Sequence, residues 1–471
     1  MKLQDNEGIE IMTESVKIQH HCLACGSELS GPLFEISNMP CGAQAMPDAQ
    51  GLAEDRGIDL QLSRCPECGL VQFDCEPVPY YRDAIRVVGL SETMKELRRA
   101  DYRLLTGKYG KKAGYAENAG SRSTDIQPMK WLECGCSNGD FLAVLAEPEF
   151  AGSGGISIYG TEAGAAGLAE ARGKLCAWAA SVMPVPEDHL MQWFPDREDL
   201  DIPGAPFDVF LSFNFLEHQP DPVTMLKCLR RNLADDGIGL ITVPSFEYII
   251  GEGRYYELVR DHIANYDMES LTALCRMSGF EVLEKDFIGI GDTLRVVVRK
   301  SGGCMIEETA AADAEDGNVN ADADANADGR SCLSCRDEAA LRRTADIGIL
   351  KEDYRRMRSE ISEYVNRLRQ SGRKAALWGA GHQGFTIAAT TEFCSFISYI
   401  IDSSEKKQGR FAPASHIRIV SPEEYLKDPV DVIIISAPGY VKEIEASIRK
   451  RYQGTAAGVP AICSILDLSE H

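Results

Sequence analysis

One stretch limits the folds open to this chain more than any other: residues 130–141, Lys-Trp-Leu-Glu-Cys-Gly-Cys-Ser-Asn-Gly-Asp-Phe. Trp131 and Leu132 make an apolar entry to Glu133. A turn holding Gly135 and Gly139 follows, and then the helix-like run 140–147. This reads as strand, glycine turn and helix start, a turn in which main-chain N–H groups can approach a ligand without a Cβ in the way. The spacing is Glu-x-Gly-x-x-x-Gly, not the Gly-x-Gly-x-x-Gly of a dinucleotide site. The rhythm then repeats. Strands are expected at 131–133, 157–159, 208–213 and 238–243, and helices at 140–146, 165–175 and 222–233, with 148–155 as a loop insertion. Such alternation predicts an α/β, doubly wound parallel sheet, with ligands at the carboxyl ends of its strands.

Two cysteine knuckles precede this region, Cys22-Leu-Ala-Cys25-Gly26 and Cys65-Pro-Glu-Cys68-Gly69. Each can present two thiolates to one ion, and together they close a tetrahedral four-sulfur site with no position left for chemistry. The expectation is a small N-terminal zinc module with Cys22, Cys25, Cys65 and Cys68 as structural Zn²⁺ ligands. Redox-active pairs are the alternative. The chain has 16 cysteines and no apolar segment behind its N-terminal Lys, so they read as thiols and metal ligands rather than disulfides, with a cytoplasmic location as the default.

With 49 Lys and Arg against 72 Asp and Glu, the formal net charge of −23 argues against nucleic acid as a partner. No apolar run approaches the roughly 18 residues a membrane span requires. The 471 residues suffice for two or three domains. Their expected bounds are 1–90 for the zinc module, 91–300 for the central domain with its connecting helix, 301–336 for a disordered acidic linker, and 337–471 for a long helix and a last domain. The linker is rich in Ala, Asp, Asn and Gly and cannot bury enough surface to order itself. Its Cys332-x-x-Cys335 pair has no partner pair and is not assigned a metal. In the last domain Trp378-Gly-Ala-Gly-His-Gln-Gly384 follows a strand. A second strand, 397–401, ends in Asp402, near the distance a dinucleotide fingerprint requires, and helices are expected from 436 to the end.

The central strand ends carry suitable chemistry. Glu162 closes the second strand, where a carboxylate can accept from two ribose hydroxyls or be a solvated loop acid. Asn214-Phe215-Leu216-Glu217-His218 follows the third strand, with Asp221 and Pro222 starting the next helix. Together with the glycine turn and the Gly-then-strand block at 229–243, these resemble the motifs of class I S-adenosylmethionine-dependent methyltransferases. That resemblance implies a class I methyltransferase (Rossmann-like) sheet. It also implies S-adenosylmethionine as cofactor, held by Glu133, Gly135, Cys136, Gly139, Glu162, Asn214 and Phe215.

The whole order, zinc module, methyltransferase core, Asp-His loop and second Rossmann-like domain, resembles the sugar C-methyltransferases acting on nucleotide-linked keto-deoxysugars. The stretch from Ile401 to Ile417 resembles that family's Asp-x-x-x-x-Lys-x-Gly-Arg-x-x-Pro pattern. It implies a C-terminal domain that helps hold a sugar nucleotide, through Gly379, Gly381, His382, Gln383, Asp402, Lys407 and Arg410. The family's Tyr-His-Glu-His loop aligns with Val259-Arg260-Asp261-His262, which keeps the last His, shortens the acid and lacks the tyrosine. His262 is therefore expected to be the general base, with Asp261 orienting it and Tyr81, Asn214, Glu217 and His218 lining the site. The family's zinc-module tyrosine corresponds to Tyr80 or Tyr81. A base is needed because a C–H bond is not a nucleophile until a proton alpha to a carbonyl has left. An O- or N-methyltransferase on a small molecule, or a non-catalytic sugar-nucleotide binder, are the rival readings.

Overall fold

The computed structural model describes residues 3–4, 10–11, 19–82, 90–110, 128–151, 155–179, 185–301 and 333–468. The expected linker at 301–336 lies largely outside them. Among the described residues no helix is long and apolar enough to cross a membrane.

Two short strands, β1 (Leu3–Gln4) and β2 (Glu10–Ile11), pair with each other. The N-terminal module then gives β3 (Phe34–Met39), β4 (Ile58–Arg64) and β5 (Val71–Phe73). Helix α1 (Glu92–Leu104) is capped by the Ser91 hydroxyl, which accepts from the Met94 N–H, and runs on into a π turn at Leu105–Tyr109. Its buried Arg98 lies 4.1 Å over the Phe213 ring and beside Asp101, so α1 covers the end of a central strand as well as linking two regions.

The central region contains β6 (Met129–Cys134), α2 (Asp140–Leu145), α3 (Pro148–Ala151), β7 (Ile156–Glu162), α4 (Ala165–Ala179), β8 (Leu190–Gln192), β9 (Phe207–Phe213), α5 (Pro222–Asn232) and β10 (Leu233–Pro244). After these come α6 (Phe246–Gly251), β11 (Ala264–Asn265), α7 (Met268–Met277), β12 (Phe280–Ile288) and β13 (Thr293–Lys300). The seven-stranded sheet has the order β12-β13-β10-β9-β6-β7-β8. All its neighbouring pairs are parallel except those made by β13, which is antiparallel to both β10 and β12. Helix α5 starts as its sequence dictates: Asp221 accepts from Thr224 N–H at 3.0 Å and Pro222 takes the first position. Two expectations need correction. The run after Glu147 holds the short helix α3 rather than only loop. The closing strand has an additional partner, β12, at the sheet edge.

β11 does not join the central sheet. It pairs antiparallel with β5, completing a four-stranded sheet β11-β5-β4-β3 with the N-terminal module. The strand that immediately follows His262 is thus held by the zinc-module region.

Helix α8 (Leu333–Gln370) leads to β14 (Ala375–Trp378), α9 (His382–Thr390), β15 (Ile400–Ile401), β16 (Ile419–Val420), α10 (Glu424–Lys427), β17 (Val432–Ile435), α11 (Val441–Tyr452) and β18 (Ala461–Ser464). Its sheet, β16-β15-β14-β17-β18, is parallel throughout, a second Rossmann-like unit. The expected ending in helices alone is corrected by β18, which lies beside β17.

One apolar core runs through three regions. It joins Phe34, Ile36 and Leu62 of the N-terminal module, Phe246, Tyr255 and Leu258 of the central region, and Leu350, Tyr354 and Ile361 of α8 with Leu377 and Phe385 beyond. Polar contacts add to it. Asn38 Nδ2 donates to the Ala389 carbonyl at 2.7 Å, and the Phe411 N–H donates to the Pro47 carbonyl at 2.9 Å.

Candidate active site

The four knuckle cysteines converge. Cys22 Sγ lies 3.5 Å from Cys68 Sγ, and Cys25 Sγ lies 3.4 Å from Cys65 Sγ. All four sulfurs fall within 4.8 Å of one another. A tetrahedral Zn–S₄ centre with bonds of about 2.3 Å sets its sulfurs roughly 3.8 Å apart, so the set fits one zinc ion with small adjustments. Main-chain amides support the thiolates: Ala24 N lies 3.4 Å from Cys22 Sγ, and Cys68 N lies 3.5 Å from Cys65 Sγ. The Gln72 side chain clasps the first knuckle, accepting from the Leu23 N–H and donating to the His21 carbonyl.

At the carboxyl end of the central sheet, the glycine turn sits between β6 and α2. Gly135 has φ +74°, and a Cβ there would fall 2.7 Å from the Phe215 ring, so both backbone and packing require glycine. Glu162 Oε2 accepts from the Ser137 N–H and Oε1 from the Gly164 N–H, each at 2.8 Å. The acid therefore braces the glycine turn. Asn214 is exposed at φ +46°, with its Oδ1 accepting from the Thr242 hydroxyl at 2.8 Å. Glu133 and Cys136 are buried at the base of the turn. Glu133, Gly135, Cys136, Gly139, Glu162, Asn214 and Phe215 thus cluster at the sheet's carboxyl end, and the donor set suits an adenosyl-amino-acid ligand.

Next to this cleft, Glu217, His218 and His262 meet. The His218 Nδ1 lies 2.7 Å from the Asp261 carbonyl oxygen. A carbonyl only accepts, so Nδ1 carries the proton and Nε2 keeps its lone pair. The His262 ring stands edge-on to His218, with centroids 4.9 Å apart. Burial lowers the pKa of His218, partly opposed by Asp261. Burial, and then the neighbouring His218 and His382, hold His262 well below the ordinary imidazole value. Both rings are neutral near pH 7, with a lone pair available. Glu217 is 2% exposed, and burial pushes its pKa up to about 8.

Asp261 does not hydrogen-bond His262. Its Oδ1 accepts from the Tyr80 hydroxyl at 2.8 Å and its Oδ2 from the Ala43 N–H at 2.8 Å, both from the N-terminal module. Arg260 continues the clasp, donating to the carbonyls of Cys41, Glu76 and Pro77. Tyr81 is not brought to the imidazoles. It packs edge-on against Phe194, which packs against Phe215, so it borders the glycine-turn side instead. Tyr80 was the other candidate in the sequence, and nothing in two adjacent tyrosines reveals which one turns inward.

The C-terminal glycine loop faces the same place. His382, at the start of α9, has its ring 6.4 Å from that of His262. Glu257 meets it, with one oxygen 3.2 Å from His382 Nε2 and the other accepting from Gln383 Nε2 at 2.7 Å. Asp402 repeats the wiring of Glu162, since it accepts from the Ala380 and Ser404 N–H groups, each at 2.8 Å. Lys407 is buried beside it, with Nζ donating to the Ala380 carbonyl at 2.7 Å and lying 3.6 Å from Asp402. Arg410 donates to the Met46 carbonyl. Asp402, Lys407 and Arg410 therefore hold main chain, while His382 of the loop that also carries Gly379, Gly381 and Gln383 faces His262.

Residues 110–285 match the family described as a methyltransferase domain, and residues 322–461 match the C-methyltransferase C-terminal domain. Together these matches indicate an S-adenosylmethionine-dependent methyltransferase similar to the C-methyltransferases. The chain is 26% identical over 234 residues to the C-methyltransferase NovU of Streptomyces niveus. That match takes in 48% of this chain and 50% of the relative, about half the length of the curated protein. Among solved structures, magnesium protoporphyrin IX methyltransferase ChlM of Synechocystis PCC 6803, with bound SAH, is 13% identical, with a TM-score of 0.33, over 47% of this chain and 91% of its own. A methyltransferase from Clostridium acetobutylicum is 14% identical, with a TM-score of 0.28, over 37% and 84%. The class I methyltransferase fold of the chain rests on its strand order and domain match. Residues that sequence reasoning missed here are Ala43 and Glu257. Glu257 sits in a one-turn 3₁₀ segment with no periodic signal.

Proposed function

We propose that this protein is an S-adenosylmethionine-dependent C-methyltransferase acting on a carbonyl compound of the nucleotide-linked keto-deoxysugar class. The observation that carries the reading is a half-buried, neutral His262 held between the carboxyl end of the central sheet and the glycine loop of the second Rossmann-like unit.

S-adenosylmethionine, when bound, supplies an electrophilic methyl group. Glu133, Gly135, Cys136, Gly139, Glu162, Asn214 and Phe215 are the residues that would hold it. The rest falls to the chain's own groups. A ring nitrogen of His262 takes the proton alpha to the substrate carbonyl, and the resulting enolate carbon becomes the nucleophile. His218, fixed in one tautomer by the Asp261 carbonyl, keeps a second neutral imidazole against His262. Glu217 remains a carboxylic acid below about pH 8 and adds no negative charge there. Asp261, tied to Tyr80 and Ala43, positions the loop rather than the imidazole. The glycine loop with His382 and Gln383 closes the far side, where the nucleotide part of a substrate would lie. Zn²⁺ in the four-cysteine centre is structural in this reading, and the protein works without nucleic acid or membrane partners.

The test is incubation with S-adenosylmethionine and a panel of nucleotide-linked keto-sugars, with mass spectrometry for the gain of one methylene. His262→Asn is expected to lower turnover by about 10² to 10⁴-fold while leaving S-adenosylmethionine affinity, measured by calorimetry, nearly intact. Loss of cofactor affinity in that variant counts against the assignment. Exchange of solvent deuterium into the keto-sugar separates methylation at carbon from methylation at oxygen, and absence of any S-adenosylmethionine binding supports a non-catalytic binder instead.

A further inference from the structure

Glu217, His218 and His262 form the one mixed imidazole–carboxylate cluster among the described residues whose ligating atoms all lie within 4.8 Å of one another. His218 Nε2 is 3.9 Å from Glu217 Oε1. The other Glu217 oxygen is buried with no hydrogen-bond partner among the described residues. His218 Nδ1 is already held by the Asp261 carbonyl at 2.7 Å, leaving Nε2 aimed at the cluster. A main-chain acceptor on the far nitrogen is the arrangement that orients metal-bound histidines. The Asp261 carboxylate is engaged with Tyr80 and Ala43 and does not compete for an ion here.

We propose that Glu217, His218 and His262 constitute a second, open metal site, selective for a borderline divalent ion such as Zn²⁺ or Co²⁺. Two imidazoles and one carboxylate suit such ions better than Mg²⁺ or Ca²⁺, which prefer all-oxygen shells. Bonds of roughly 2.0–2.2 Å require the three atoms to draw together by about an ångström, within the reach of side-chain rotation. Unlike the four-cysteine centre, which uses every coordination position, this one has three protein ligands and leaves a position facing the cleft. An ion bound there occupies the lone pairs of both histidines. On the reading of His262 as the base, the loaded protein therefore cannot accept the substrate proton, and metal occupancy silences it. The binding itself does not depend on that reading.

The experiment uses the full chain carrying one equivalent of Zn²⁺ in its cysteine centre. It is titrated with Co²⁺ and followed by calorimetry and visible absorption. A second binding event per chain is expected, with d–d bands but no thiolate-to-cobalt charge transfer. In Glu217→Gln and in His218→Gln its affinity is expected to fall by about tenfold or more, the scale of losing one shell ligand or its support. Retained zinc in the cysteine centre reports that each variant is folded. A wild-type protein that takes up no Co²⁺ beyond exchange into the cysteine centre overturns the proposal, as does unchanged affinity in both variants. Turnover is then measured with the second site filled by Zn²⁺ and again after chelation. Inhibition that reverses supports silencing. Full activity with the site filled overturns His262 as the base and leaves the metal site standing.

Discussion

At the scale of single residues, the loop of Val259 to His262 divides its labour. The Asp261 side chain fastens the N-terminal module, its carbonyl fixes His218, and His262 keeps its ring free of hydrogen bonds among the described residues. Tyr80→Phe removes one of these ties from a buried hydroxyl whose pKa burial, and then Asp261, raise. The expected outcome is a loss of about 1–1.5 kcal/mol in denaturant unfolding and a lower kcat at unchanged cofactor affinity. Tyr81→Phe is expected to spare the unfolding energy. Glu217 gives a prediction in pH. Its folded pKa, about 8, lies above the value near 4.5 of an exposed carboxyl, so the folded state binds the proton more tightly. Its contribution is complete below about pH 4.5 and is lost as pH rises through 8. Glu217→Gln should therefore match the wild type in melting temperature near pH 5 and exceed it increasingly toward pH 8.5, with no added metal. A constant difference across that range counts against a protonated Glu217. The sequence marked Glu217 and His218 through their place after a strand, because strand ends are where such sheets hold ligands, and His262 through its resemblance to a family loop. It could not assign Asp261 its real partners, since Tyr80 and Ala43 lie about 200 residues away in the chain and are brought there only by tertiary contact.

Elements that were legible are those whose local chemistry and pattern agree. Helix α5 has its Asp-Pro start, α1 its Ser91 cap and charged face, and β6 its apolar run into a glycine turn. β12 was not legible, because Phe-Glu-Val-Leu-Glu-Lys-Asp-Phe-Ile has no clean alternation. As an edge strand it contacts the core on part of one face only. The β11–β5 pairing also escaped, since two residues carry no periodicity at all. That pairing makes the N-terminal module part of the support of the loop that carries His262. The purified protein is expected to hold one Zn²⁺ in the cysteine centre, measured by atomic emission, and Cys65→Ser is expected to lower the melting temperature and turnover together. Arg260→Ala strips the donors from three carbonyls at the same junction. It should destabilise by about 3 kcal/mol, while Arg260→Lys recovers only part, because a single ammonium cannot span the three acceptors.

For the whole molecule, the sequence separated an N-terminal module, a central sheet and a C-terminal sheet, while β11 of the central stretch pairs into the N-terminal sheet. It did not show that Phe34, Tyr255, Tyr354 and Phe385 share one apolar core. Periodicity reports which face of an element is apolar, but not which distant element covers it. Tyr255 illustrates the joint: its N–H reaches Asp353 on α8, and its hydroxyl lies 3.1 Å from the Thr390 hydroxyl on α9. A chain ended after residue 301 is expected to aggregate rather than yield an isolated methyltransferase unit, checked by size-exclusion chromatography. The seam has a bearing on traffic. Two lobes welded along their length have no free axis on which to swing apart, so reactants must slip in past moving loops, and the scattering radius of the protein should stay the same whether its ligands are present or not.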